Sequence, residues 1–206
     1  RTYERAFFVA VSQEDYKKKS DEMIASGQIT KEGLDKAVIE EFIIGAQVNF
    51  NYFYSPLSGE LELMGTDARR QTSLDGFLRL NANVQKELLD SGYNPTMIET
   101  GHFAVTIKES LVEKAYEIGE KFVKATQEFA KPGIIGPFAL QGAVSSENGR
   151  EELVIFDVSM RIPGSPGTRF TPYTSYLWGR ELSYGERIAM EIKSAVENAQ
   201  LDRILT

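Results

Sequence analysis

Hydrophobic and polar positions alternate most sharply between Gln47 and Tyr54. Val48, Phe50, Tyr52 and Tyr54 share one side there, and Gln47, Asn49, Asn51 and Phe53 share the other. The alternation predicts a strand, Ser55-Pro-Leu-Ser-Gly59 a turn, and residues 60–64 the returning strand of a hairpin. A helical period takes over from about Ser110 to Ala130, where Leu111, Ala115, Ile118, Phe122, Ala125 and Phe129 form one apolar stripe. Pro132-Gly133 stops it. A second hairpin is predicted from residues 138–144 and 152–160, joined through a turn-rich stretch at 145–150. Ser183 and Glu186 form a capping box that opens the last helix, with Ile188, Ile192, Ala195 and Val196 as its buried stripe.

Weaker patterns fill the rest. Residues 6–10 read as a short strand; Ser12 with Asp15 opens a helix that Gly27 ends, and Thr30 caps a shorter one. Residues 37–44 read as extended, ending at Gly45. A polar loop is expected over 65–76, a short strand over 77–80, a helix near 84–90 and a strand near 96–107. Residues 161–172, with three prolines and two glycines, read as a long loop. Strands interleaved with helices, several of them hairpins, predict an α+β fold with a mostly antiparallel sheet.

Composition narrows the chemistry. The 206 residues contain no cysteine and one histidine, which excludes disulfides, thiolate metal sites, a cysteine nucleophile and a His-rich zinc site. A net charge of -7 argues against nucleic acid and anionic membranes as partners. No apolar run reaches membrane-spanning length, and Arg1 opens the chain without a signal-peptide pattern, so the default location is cytoplasmic.

Polar residues in apolar strands mark the candidate chemistry. If the second hairpin turns about Gly149, Gln141 and Asp157 lie equally far from the turn and face each other. An amide oxygen beside a carboxylate suits magnesium, which takes a few protein oxygens and shares the rest with water and phosphates. A buried hydrogen bond or an edge-strand position would explain the same residues. Arg69, Arg70, Arg79, Lys108, Arg161 and Arg169 stand in loops or at strand ends; as a set they suggest a phosphorylated ligand, and singly they read as solvated charges. Ile39-Glu-Glu-Phe-Ile-Ile-Gly45 could offer its backbone to an adenine edge, or be a plain strand end. His102 is read as a structural or hydrogen-bonding histidine without a catalytic role, and Trp178, with Tyr173 and Tyr176, as core or interface. Neither a Walker P-loop nor a Rossmann glycine run occurs.

In their order and spacing, several runs resemble the archaeal PurP family of ATP-grasp ligases, the formate-dependent FAICAR synthetases. They are Ile39-Glu-Glu-Phe-Ile-Ile-Gly45, Tyr52-Phe-Tyr-Ser-Pro-Leu57, Asp75-Gly76, Lys108-Glu-Ser-Leu111, Gly136-Pro-Phe-Ala-Leu-Gln141, Phe156-Asp-Val-Ser-Met-Arg161 and Gly185-Glu-Arg-Ile-Ala-Met-Glu-Ile192. The resemblance implies an ATP-grasp fold and an ATP- and magnesium-dependent ligase that formylates AICAR ribonucleotide with formate, through formyl phosphate. The products are FAICAR, ADP and phosphate, in purine biosynthesis. It implies residues 1–45 as the end of the first ATP-grasp subdomain and its hinge, residues 46–206 as the C-terminal subdomain, and an N-terminal substrate domain outside this chain. It places Glu40, Glu41, Phe42 and Ile43 at adenine, Gln47 at the ribose, and Gln141 and Asp157 on magnesium. Arg69 and Ser73 would meet AICAR, Lys108 and Arg161 would face phosphate oxygens, and the protein would be a homo-oligomer.

The chain departs from the family in places. Asp157 stands where a glutamate is usual, and Ser73 where an asparagine is common. Gly164-Ser-Pro-Gly-Thr-Arg169 replaces a Gly-Gly-Thr-Asn-like loop, and no glycine lies in residues 1–6, where a phosphate loop would fall. A ligase for a different carboxylate and amine, or a non-catalytic binding module on this scaffold, are the alternatives.

Overall fold

Ser12 starts the first helix by accepting the Asp15 amide at 3.1 Å, which leads α1 (Gln13–Ala25). The reciprocal half of the box is absent, because the Asp15 carboxylate accepts from the Val11 amide and from Lys19 instead. Thr30 caps α2 (Lys31–Asp35) by accepting the Gly33 amide at 3.0 Å. The computed structural model describes residues 8–147, 149–164 and 167–205. Residues 8–10 form no strand, contrary to the sequence pattern, and the rest of that stretch, with the first six residues, lies outside the described residues. Residues 37–44 carry no regular structure.

The chain then forms β1 (Ala46–Ser55), β2 (Glu60–Gln71), α3 (Leu74–Phe77), α4 (Ala82–Asp90), β3 (Glu99–Ala104), α5 (Glu109–Phe129), β4 (Gly136–Glu147) and β5 (Arg150–Ser159). The helices α6 (Gly167–Phe170), α7 (Tyr173–Trp178) and α8 (Tyr184–Glu197) and a 3-10 turn, Leu201–Arg203, complete it. The sheet order is β3-β2-β1-β4-β5, with β1 antiparallel to β2 and β4, and β4 antiparallel to β5. The fold is α+β, as the pattern predicts. By compactness the chain divides into two units: one takes the chain up to Ile43 together with Gln71–Ile98, the other takes Ile44–Arg70 and everything from Glu99 onward.

Several sequence expectations are corrected. The polar run after Met64 is not a loop: β2 continues to Gln71, since Asp67 finds partners on the neighbouring strand that offset its burial. The strand expected at 77–80 is instead the end of α3 and a turn. The strand at 96–107 shortens to β3, and the loop at 161–172 contains α6.

In the second unit, neighbours in β1 serve opposite faces of the sheet. Tyr52, with Val48, Phe50, Leu63 and Phe138, packs with Ala115 and Val123 of α5. Gly119 permits that approach, because a Cβ there would stand 2.6 Å from Leu61 Cδ2 and 3.0 Å from the Tyr52 ring. Phe53, with Met64, packs instead against Leu182, Tyr184 and Ile188 at α8. The expected stripes of both helices are partly wrong: Phe129 is 93% exposed, and Ile192 and Val196 are 48% and 57% exposed. Arg187 and Glu191 are buried in their place. The Arg187 guanidinium takes Glu62 of β2 on two nitrogens, at 2.6 and 2.8 Å, and Glu191 at 2.9 Å. Ser55 donates to Glu191 at 2.7 Å, and Phe53 lies under the guanidinium at 4.2 Å. Charge that reads as solvent-facing in one helix is thus neutralised by a strand far away in sequence.

Candidate active site

Two bulges set the register of the polar residues. One in the β1–β2 ladder, between Asn51 and Tyr52, brings Asp67 opposite Asn49; the register below it would have placed Thr66 there. The other, between Gln141 and Gly142, brings Asp157 opposite Gln141. The outer rungs of that hairpin, such as Ser146↔Glu151 and Ala143↔Val154, centre half a residue before Gly149 and would have put Phe156 at that place. The expected pairing therefore holds in the backbone register, and the bulge produces it.

Asp67 is fully buried and accepts hydrogen bonds from the side-chain amides of Asn49 at 3.0 Å and Asn51 at 2.7 Å. His102 Nδ1 of β3 contacts the same carboxylate. Its other ring nitrogen, Nε2, lies 2.7 Å from Glu99 Oε1, and Glu99 Oε2 lies 3.3 Å from Arg69 Nε. Arg69 Nη2 donates to Gln141 Oε1, and Gln141 Nε2 donates to Ser159 Oγ at 3.1 Å. Polar contacts thus run without a break from β3 to β5. They line a cavity of about 190 Å³ that Arg161, Pro163 and Gly164 also border.

Burial pulls the His102 pKa down, but the hydrogen bonds and charges of Asp67 and Glu99 outweigh it and hold the imidazole above histidine's ordinary range. With a carboxylate at each ring nitrogen, the arrangement is that of an imidazolium.

Of the residues singled out in the sequence, Arg69, Gln141 and Arg161 meet at this cavity. Asp157 is backbone partner to Gln141, but its exposed carboxylate accepts from the Val158 amide at 2.9 Å and does not border the cavity. Lys108 precedes α5, without a side-chain cap, and pairs with Glu151. Gln47 is exposed in β1 opposite Ala143. Glu40, Glu41, Phe42 and Ile43 belong to the irregular segment of the first unit; Ser73, at the start of α3 in the same unit, accepts the Thr96 amide on its hydroxyl at 2.7 Å and meets Thr96 Oγ1 at 3.0 Å. Asp67, Glu99, His102, Asn49 and Asn51 were not singled out for the site. The legible signal was two asparagines inside an otherwise aromatic strand, since such amides require partners when buried.

Gln141 and Asp157 carry the hard oxygen donors that magnesium takes, but only the Gln141 side chain borders the cavity in this arrangement. Among the described residues, no group of three or more acidic or histidine side chains forms an all-protein cage. In this arrangement the Arg69 guanidinium holds the Gln141 oxygen, so a cation there would have to displace it.

Residues 15–206 match the family model described as a domain of unknown function, DUF1297. The chain belongs to the DUF1297 family. Curated relatives of this DUF1297 chain include proteins named 5-formaminoimidazole-4-carboxamide-1-(beta)-D-ribofuranosyl 5'-monophosphate synthetase. The one from Methanococcus maripaludis strain C7 is 40% identical over 204 residues, covering 98% of this chain and 55% of the relative. The one from Methanocaldococcus jannaschii is 39% identical with the same coverage. The chain spans about half the length of these curated relatives. The crystal structure of an IMP biosynthesis protein PurP from Thermococcus kodakaraensis superposes with a TM-score of 0.64 at 32% identity, over 81% of this chain and 51% of that one. The likeness to PurP expected from the sequence runs is therefore present in sequence and in structure, and the α+β fold is of the ATP-grasp type. Among the described residues, no helix is long and apolar enough to cross a membrane.

Proposed function

We propose that this chain is the C-terminal part of an ATP-dependent ligase that joins formate to the amine of AICAR ribonucleotide, giving FAICAR, ADP and phosphate. The observation that carries the reading is the cavity bordered by Arg69, Gln141 and Arg161, in a chain aligned over 98% of its length with proteins named as FAICAR synthetases. Guanidinium forks at the cavity suit phosphate and carboxylate oxygens. Formyl phosphate, made from ATP and formate, is the acyl donor, and the amine of AICAR ribonucleotide is the acceptor.

Glu40, Glu41, Phe42 and Ile43 are assigned to adenine and Gln47 to the ribose. Arg161 and Lys108 are assigned to phosphate oxygens, and Lys108 must first leave Glu151. Gln141 and Asp157 would hold magnesium, which when bound offsets charge on the transferred phosphoryl group. Arg69 and Ser73 are assigned to the acceptor. A homo-oligomer in the cytoplasm is part of the same reading.

One observation favours a second reading, a ligase on this scaffold with another acceptor: the Ser73 hydroxyl is already engaged with Thr96. Isotopically labelled formate separates the two. Incubated with the complete protein, ATP, magnesium and AICAR ribonucleotide, it is expected to appear in FAICAR. Consumption of ATP with no label in the ribonucleotide would overturn the assignment of the acceptor.

A further inference from the structure

The geometry points to His102 as the base that takes the proton from the acceptor amine, with Asp67 as its positioning partner and Glu99 as the group that receives its charge. The inference rests on the proposed formyl transfer. It goes beyond it, since nothing in the fold or the family match assigns the histidine a part in the chemistry.

Asp67 sits where an orienting carboxylate must. It is fully buried, fixed by Asn49 and Asn51, and bonded to Nδ1. That contact keeps a proton on Nδ1 and leaves Nε2 as the working nitrogen. His102, Glu99, Arg69, Gln141 and Arg161 border the same cavity, so the ring shares it with groups assigned to the substrates. Glu99 has two partners within reach, Nε2 at 2.7 Å and Arg69 Nε at 3.3 Å. Turned toward Arg69 it uncovers Nε2 for the acceptor; turned back it stabilises the imidazolium. In the structure Glu99 holds both contacts at once, Oε1 on Nε2 and Oε2 on Arg69.

The step balances. The acceptor nitrogen forms a bond to the formyl carbon of formyl phosphate, and the carbon–oxygen bond to phosphate breaks, its electron pair leaving on phosphate. The nitrogen's proton passes to Nε2 of a neutral imidazole. The charged groups that face the ring are Asp67 and Arg69 from β2 and Glu99 from β3, with Arg161 across the cavity beyond β5. Tyr184 of α8, itself raised well above a phenol's ordinary pKa by burial and by Asp67, is neutral and leaves the balance unchanged.

The test uses the complete protein and two readouts: FAICAR formed, and formyl phosphate trapped by hydroxylamine as formohydroxamate. In the wild type, FAICAR formation is expected to rise with pH along a limb set by one group above histidine's ordinary range. His102→Gln, which keeps hydrogen bonding but takes no proton, is expected to abolish that limb and to slow FAICAR formation about 10²-fold or more. Formohydroxamate is expected to fall far less, and added imidazole to restore transfer in His102→Gly. A His102→Gln protein that keeps the limb, or that loses both products in proportion, would overturn the inference, and so would a folded His102→Gly protein that imidazole fails to rescue. If the wild type forms no FAICAR, the functional reading itself fails, and the inference with it.

Discussion

Arg69 of β2 reaches across β1 to Gln141 of β4, where its guanidinium donates to the amide oxygen assigned to magnesium. One cation thus occupies the oxygen proposed for another. Arg69→Met is expected to free that oxygen and lower the magnesium concentration needed for ATP binding. The same change should weaken AICAR ribonucleotide binding about tenfold or more, equivalent to about 1.4 kcal/mol. Calorimetric titration of each ligand checks both directions. Unchanged acceptor affinity would remove Arg69 from the acceptor site.

Asp157 is exposed, and its carboxylate accepts from the neighbouring Val158 amide. Asp157→Ala is therefore expected to leave the melting temperature within a degree or two while abolishing the magnesium dependence of ATP binding. Titrations with and without magnesium read this out. A variant that keeps the dependence would refute the metal assignment.

Arg187 neutralises two buried carboxylates, Glu62 and Glu191. Arg187→Met preserves most of the volume over Phe53 but leaves both carboxylates without a cation, at a cost of about 3–5 kcal/mol. Denaturant unfolding measures it. A loss below about 1 kcal/mol would mean that the pair contributes little to holding α8 on the sheet.

His102 also couples stability to pH. Its pKa is raised in the folded protein, so the folded state binds the proton more tightly than the unfolded chain does. The resulting stabilisation is complete below the unfolded value of about 6.5 and is lost as pH rises through the folded value. The melting-temperature difference between wild type and His102→Gln is expected to shrink as pH rises through that window. A pH-independent difference would show that the ring does not titrate between its two carboxylates.

How far such a site is legible in sequence follows from its partners. The strands around Tyr52 and Phe138, the α5 helix and the Ser183 cap were readable, because each rests on neighbours close in the chain. Gln141 and Asp157 were paired from a turn centred on Gly149; the actual turn is displaced and the bulge at Gly142 restores the match. The extent of β2 and the burial of Arg187 were not readable. Polar runs there are stabilised by Asn49, Asn51 and Glu62, and no local rule predicts such distant partners. His102 is the hydrogen-bonding histidine that the sequence suggested, but its partner Asp67, on another strand, was not readable.

In the proposed reaction the acceptor amine draws ATP turnover to completion. ADP release by the complete protein, supplied with magnesium, ATP and formate, is expected to depend on AICAR ribonucleotide and to equal the FAICAR formed. ADP release indifferent to AICAR ribonucleotide, with no FAICAR, would contradict it.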